Sequence, residues 1–401
     1  MNGRTRRDFL LATSATAAAT LGVMSTGTST PTESSTDWNA VESPTTKTLN
    51  DVVDTADGPF AVGDGGDVVA RRENGWQKVV EYGPQARSRP LTGVDVTDDG
   101  ERIWFVGGSG VIGEYDVTTE TLTNYSAPKD KTSTWEDVAV RGRAGENERL
   151  YFVNESGELL IGVRKDSGVL RYADVLKPGG GSTIPGIEFY SRWGGHVCST
   201  SQLVSKSTTG GIEWEQIGIG FSGESFFDVA SVGPRDANVA AGAGIIYRYD
   251  GFRWTPHVVD HGRQAIRSID RDGDAGLAAG AGGKVYERRS TGQWRRYRTG
   301  SDTKFRGVSH GSDGVDVAVG NNGTIVERTR DDSDGTTTAT TESSTTTTTT
   351  ATTTSTTSTT TTTATTGSTA TSASTDTASA ARVSIPDAGE TVSEYVEGEW
   401  V

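Results

Sequence analysis

Six carboxylates recur through the middle of the chain at one place in a repeated segment. Asp51, Asp95, Asp137, Glu188, Asp228 and Asp270 each lie one residue before or after a Val or Ile in a short apolar run. Acids gathered on one strand face around a common channel would hold protons or attract cations. The same acids turned onto backbone N–H groups would instead join neighbouring segments or wet the channel. A second pattern is basic. Residues 284–330 hold ten Lys and Arg against five Asp and Glu, a net of +5 in a chain whose formal charge is −15. Arg288, Arg289, Arg295, Arg296 and Arg298 are clustered there, Arg306 and Arg328 follow, and Arg71 and Arg72 lie near the start of the repeats. Guanidinium groups bind carboxylate, phosphate or sulfate through paired hydrogen bonds that depend on geometry as well as on field. Arg71, Arg72, Arg288, Arg295, Arg296 and Arg298 are therefore the expected contacts for an acidic partner, an envelope protein or an anionic polysaccharide. The alternative is a dispersed set of surface ion pairs with Glu287, Glu327 and Asp302.

Other chemistry finds little support. His196, His257, His261 and His310 have no zinc spacing, and Cys198 is the single cysteine, which excludes an internal disulfide. Asp270-Arg271-Asp272-Gly273-Asp274 begins like a calcium loop, but Ala281 stands where the twelfth-position acid belongs, so a tight acidic turn is expected. No acid pair is set apart as a glycosidase would require. No catalytic, cofactor or metal set is expected. The acidic balance argues against nucleic acid.

The element that must position these residues is a repeat. A large apolar residue opens a short strand, a second strand ends in a small residue, a third follows, and Trp or Tyr marks a fourth. The openers include Leu49, Leu91, Trp135, Ile184, Phe227, Ile266 and Phe305, the strand-ending glycines Gly63, Gly107, Gly242, Gly280 and Gly320, and the aromatics Trp76, Tyr125, Tyr172, Trp214, Trp254 and Trp294. Gly63 to Gly320 spans six intervals of about 43 residues, the length of a four-stranded propeller blade. Alternation at period two with β-branched residues excludes helical solenoids. The seventh copy stops near Arg328 without its aromatic strand. Asp37-Trp38-Asn39-Ala40-Val41 is the unassigned segment able to supply it. An all-β, seven-bladed β-propeller closed by its N-terminal strand is predicted over 37–330, with Trp38, Trp76, Trp214, Trp254 and Trp294 packing at one blade position.

In copy four, Ser207-Thr208-Thr209-Gly210-Gly211-Ile212-Glu213-Trp214 resembles the Asp-box turn, departing from it at Thr209 and Glu213. With the repeat it resembles the broad group of seven-bladed WD40, YVTN and BNR-like propellers, which includes photosystem II assembly-factor and sialidase-like proteins. That resemblance implies the fold. An arginine-rich patch that binds a partner is a property of the assembly-factor propellers, so their binding mode is what it implies here. Sialidase-like chemistry would need an arginine triad, a Tyr nucleophile and an Arg-Ile-Pro signature, and that signature is absent at the first blade.

Residues 1–36 carry Arg6-Arg7 before a short, threonine-diluted apolar run, resembling a twin-arginine export signal and too short to span a bilayer. Nine Lys against 29 Arg with abundant Asp resembles a haloarchaeal surface, on which −15 is screened by salt. Residues 331–379 form a linker or stalk: 35 of the 44 residues 336–379 are Ser or Thr, too few apolar groups to fold. Residues 380–401 form a short tail with Ile385, Tyr395 and Trp400 among acids. Asn124, Asn154 and Asn322 head N-glycosylation sequons. The sequence thus predicts an exported, monomeric, non-enzymatic scaffold at the cell surface, with no membrane span in the mature chain. A divergent sialidase-like hydrolase is the alternative.

Overall fold

The computed structural model describes residues 38–219 and 222–330. The export signal, the Thr-rich stalk and the tail lie outside the described residues. Seven four-stranded antiparallel sheets follow one another along the chain. Blade one runs Leu49–Val53, Phe60–Gly63, Val68–Arg72 and Gly75–Val80, and blades two to six repeat that meander. Blade seven takes Phe305–Ser309, Val315–Gly320 and Ile325–Thr329 from the C-terminal side and Asn39–Val41 from the N-terminal side. Asn39 pairs with Glu327 and Val41 with Ile325, so the predicted closing strand is the fourth strand of the last blade. Closure leaves the blades without a free seam, which an open ring would expose to edge pairing.

The repeated sequence signature has a local cause. The openers Leu49, Leu91, Trp135, Ile184, Ile266 and Phe305 are fully buried, and in blade five the buried opener is Phe226, one residue before the expected Phe227, which is only partly buried. In six blades the ladder slips by one residue just after the buried opener, between Leu49 and Asp51 in blade one and between Phe305 and Gly307 in blade seven. The bulge brings the residue preceding the opener against the end of strand two. A Cβ on Gly63 would lie 2.2 Å from the Thr48 carbonyl oxygen, and one on Gly107 would lie 2.1 Å from that of Pro90. The glycine that ends strand two is therefore fixed by close backbone approach.

Apolar side chains form seven clusters, one for each junction between blades. Trp38 packs with Leu277, Val285 and Tyr297 of blade six and Phe305 and Val326 of blade seven. Trp76 joins Leu49 to Val315, Val317 and Val319 across the closure. Trp214, Trp254 and Trp294 sit against the junctions three–four, four–five and five–six. The tryptophans are packing residues at one blade position.

Buried ion pairs cross the same junctions nearer the rim. Glu148, fully buried, takes Arg102 at 2.6 Å from blade two and Arg164 at 2.9 Å from its own blade, and Arg164 also pairs with Glu114 of blade two. Among the described residues no helix is long and apolar enough to cross a membrane.

Candidate functional site: the central channel and the basic blades

The bulge decides where the six carboxylates point. It shifts the alternation of the inner strand, so that the second and fourth residues after each opener face the following blade. At the second place stand Asp51, Gly93, Asp137, Gly186, Asp228, Ser268 and Gly307. At the fourth stand Val53, Asp95, Ala139, Glu188, Ala230, Asp270 and Ser309. Acids thus alternate between two tiers from blade one to blade six.

Each acid accepts a backbone N–H from the next blade. Asp51 accepts from Val94 at 2.9 Å, Asp95 from Val140 at 2.7 Å and Asp137 from Ile187 at 2.9 Å. Glu188 accepts from Ser231 at 2.9 Å, Asp228 from Ile269 at 2.8 Å and Asp270 from His310 at 2.8 Å. The other oxygen of Asp51, Asp95, Asp137 and Asp228 takes the N–H of the residue that follows it. Where the second place is glycine, the neighbouring strand comes closer: a Cβ on Gly307 would lie 2.7 Å from the Asp51 Cα. A seven-membered ring cannot alternate throughout. The one remaining junction, between blades seven and one, uses Asp54, which accepts both the N–H and the hydroxyl of Ser312, while Ser268 adds to the blade six–seven junction by accepting the Val308 N–H at 3.2 Å.

Five of the six acids, all but Asp95, also border a central cavity of about 300 Å³. Burial pushes the Asp228 carboxyl up to about 8, its backbone donors oppose the shift, and the nearby Asp51 and Glu188 add to it. Their oxygens are nonetheless directed into the junctions. Among the described residues no group of three or more His, Cys, Asp or Glu side chains is arranged to hold a metal ion.

The six arginines divide into two sets. Arg71 pairs with Glu327 across the closure at 2.9 Å, and Arg72 with Asp57 at 3.1 Å while covering the Phe60 ring. Arg288 is buried and held by Asp274 at 3.1 Å. Each of these three is engaged within the fold. Arg295, Arg296 and Arg298 are exposed on the outer strand of blade six, Gln293–Arg298. Arg295 lies over the Tyr297 ring and Arg296 is 3.7 Å from Asp260.

One mouth of the channel carries residues that the repeat analysis did not single out. The residue just after each opener reads Asn50, Thr92, Glu136, Pro185, Phe227, Arg267 and Arg306, and all of them border the cavity, together with Lys304. The same alignment that exposed the carboxylates holds them one place earlier. Arg267, Lys304 and Arg306 have no carboxylate partner among the described residues. Burial, and then the charge of Arg306, lowers the Arg267 pKa, while burial followed by Arg267 and Arg306 lowers that of Lys304. Arg267 stacks over Phe227 at 3.8 Å, and Arg306 donates Nε to Asn321 at 2.9 Å. Across the mouth, burial and the neighbouring Glu155 raise the Glu136 carboxyl.

Two smaller motifs resolve as structure. In the turn of residues 207–214, Ser207 Oγ accepts the Gly211 N–H at 2.9 Å and Trp214 Nε1 donates to the Gly211 carbonyl at 2.7 Å, closing a hairpin. Asp272 to Ala275 turn the hairpin between Ile266–Asp272 and Ala275–Gly280. The sequon residue Asn154 is fully buried and donates its amide to Glu158 at 2.9 Å, so that amide is closed to a sugar.

No protein-family model matches the chain, and no curated protein matches it. Solved structures do. A structure described as YCF48 bound to D1 peptide is 14% identical with a TM-score of 0.58, covering 73% of this chain and 95% of its own. Virginiamycin B lyase from Staphylococcus aureus is 13% identical with a TM-score of 0.60, covering 74% and 99%. The WD40 β-propeller domain of Doa1 is 12% identical with a TM-score of 0.54, covering 73% and 96%. At such identity these similarities show the fold alone. The chain is a seven-bladed β-propeller whose structural neighbours include binding domains and an enzyme.

Proposed function

We propose that this propeller is a non-catalytic, monomeric scaffold, exported by the twin-arginine route and displayed at the cell surface, that binds an acidic envelope protein or anionic polysaccharide through blades six and seven. One observation carries the reading. In a chain of charge −15, most buried arginines are paired, while Arg295, Arg298, Arg267, Lys304 and Arg306 lack carboxylate partners among the described residues and belong to two adjacent blades. Unpaired guanidinium groups on a rigid sheet are prepared for an external anion at little entropic cost. The neighbour that holds a peptide supports use of this fold for a peptide partner.

The test is affinity capture from the cell envelope with the full chain and with a variant carrying Arg295→Gln, Arg296→Gln and Arg298→Gln. The partner is lost from the variant while its melting temperature stays within a few degrees, since surface changes cost about 0.5 kcal/mol or less each. Equal capture by both chains refutes the reading. A second reading, a carbohydrate-active hydrolase, is favoured by the raised Glu136 carboxyl facing three cations across the mouth. Glycan cleavage that Glu136→Gln abolishes would establish it.

A further inference from the structure

We propose that the channel mouth is a binding site for a hexuronic acid residue, whose carboxylate meets Arg267, Lys304 and Arg306 and whose hydroxyls meet Glu136. The inference rests on the reading that blades six and seven recognise anions, and it names the ligand of one site within them.

Three cations with no acid beside them, two of which, Arg267 and Lys304, are partly withdrawn from water, are costly to hold together, and a bound carboxylate relieves their mutual repulsion. Two of the three are already oriented. The Phe227 ring supports the Arg267 guanidinium at 3.8 Å, and Asn321 fixes Arg306 through Nε at 2.9 Å, leaving its terminal nitrogens available. Paired N–H donors in a fixed plane match a carboxylate.

The opposite side of the mouth requires a different group. Glu136 has no hydrogen-bond or ionic partner among the described residues, and an ionised carboxylate only accepts hydrogen bonds. A sugar hydroxyl satisfies it, whereas a multiply charged phosphate or sulfate would be repelled. Deeper in the channel, Asp51, Asp137 and Asp228 have both oxygens committed to backbone N–H groups of the blade junctions. They offer a ligand no free acceptor, which keeps it at the mouth. The cavity of about 300 Å³ is at the small end of ligand pockets and suits one sugar ring more than a protein segment.

The test is titration calorimetry of the full chain in molar potassium chloride with glucuronate, galacturonate, oligogalacturonate, acetate and glucose. A uronate binds more tightly than acetate or glucose by about tenfold or more, the value of one charged hydrogen bond. Tighter binding of the oligomer assigns the site to a polysaccharide residue, equal binding assigns it to the free sugar acid, and both uphold the proposal. Arg306→Gln, an exposed change, weakens the uronate by about tenfold, and Arg267→Gln with Lys304→Gln removes binding altogether. Glu136→Gln weakens the uronate and leaves acetate unchanged. If no uronate outbinds acetate and glucose, or if Arg306→Gln binds as the parent does, the proposal falls. Envelope capture through Arg295, Arg296 and Arg298 is measured separately and can stand without it.

Discussion

The carboxylate of Asp95 accepts the backbone N–H of Val140 at 2.7 Å, joining the innermost strands of blades two and three across a sequence separation of 45 residues. Its other oxygen takes the N–H of Val96 at 2.6 Å. A side chain that spends both oxygens on backbone donors does for two sheets what a ladder hydrogen bond does within one. All six acids reach the next blade in this way around the axis, and Asp51, Asp137 and Asp228 also commit the second oxygen as Asp95 does. In each case a backbone N–H that the inner strand of a closed ring cannot pair within its own sheet is satisfied by the preceding blade.

Replacing Asp95 by Ala leaves the Val140 and Val96 N–H groups buried without these acceptors. A loss of about 1–3 kcal/mol for each donor is expected. Asp95→Asn, which keeps one acceptor oxygen and turns an amide donor toward the other N–H, falls between Ala and the parent. Thermal unfolding in molar salt checks this, and an Asp95→Ala chain that melts with the parent would show that the staple contributes nothing.

Much of the ring was legible in the sequence because its period is carried by large, locally determined signals. The opener, the glycine ending strand two and the Trp or Tyr of strand four each recur at about 43 residues. Trp38 before the first repeat completed the count. The direction of the carboxylates was not legible, because the bulge after Leu49 or Phe226 exchanges the two faces of the strand without leaving a mark in the hydrophobic pattern. The internal pairing of the arginines was hidden for a related reason. Arg71 and Glu327 are 256 residues apart, and charge clustering along the chain does not reveal which side chains are consumed by partners of the opposite sign across a junction. The basic mouth was missed because Arg267 and Arg306 are 39 residues apart and Glu136 is farther still, so that only the superposed repeats bring them into one column.

Glycine at the second inner place is as necessary as the acids. A Cβ on Gly93 would stand 2.8 Å from the Asp137 Cα and 3.0 Å from the Glu136 carbonyl oxygen, both parts of the next blade. Gly93→Ala is expected to force blades two and three apart and cost about 1–3 kcal/mol through overpacking. Gly75→Ala provides a contrast, since it meets no atom within 4 Å and its cost comes only from its φ of 95°. If Gly93→Ala leaves the denaturant midpoint unchanged, the close approach of the two strands is relaxed at no cost and the argument fails.

Two buried groups set opposite pH limits. Burial lowers the His196 pKa to about 3, with its Nδ1 2.6 Å from the Ser231 hydroxyl. The folded chain therefore binds fewer protons at this site than the unfolded chain between about 3 and the ordinary histidine value near 6.5, so stability is lost as pH falls through that window. Asp228 acts in the other direction. Its carboxyl, raised to about 8 by burial, holds a proton that the unfolded chain releases near 4, so its contribution is lost as pH rises from about 4 to 8. Each limb is limited to about 1.4 kcal/mol per pH unit. Denaturant titrations across pH should show His196→Gln flattening the acid limb and leaving the alkaline limb in place. An unchanged acid limb would assign it to other groups.

Closure of the ring depends on a segment that precedes the first full blade. Trp38 is 4% exposed and lies in the junction core of blades six and seven, with the Arg328 guanidinium 5.3 Å from the centre of its ring. Asn39, Ala40 and Val41 then pair with Glu327, Val326 and Ile325. Trp38→Ala removes the largest apolar side chain of that core, at an expected cost of about 3–5 kcal/mol. Deletion of residues 37–42 goes further, because it also frees the edge of Ile325–Thr329 for pairing with another chain. The two variants should therefore separate: Trp38→Ala melts earlier but stays monomeric in light scattering, whereas the deletion forms concentration-dependent aggregates in the same salt. A deletion variant that remains monodisperse and melts like Trp38→Ala would show that the side chain, and not the strand, accounts for closure.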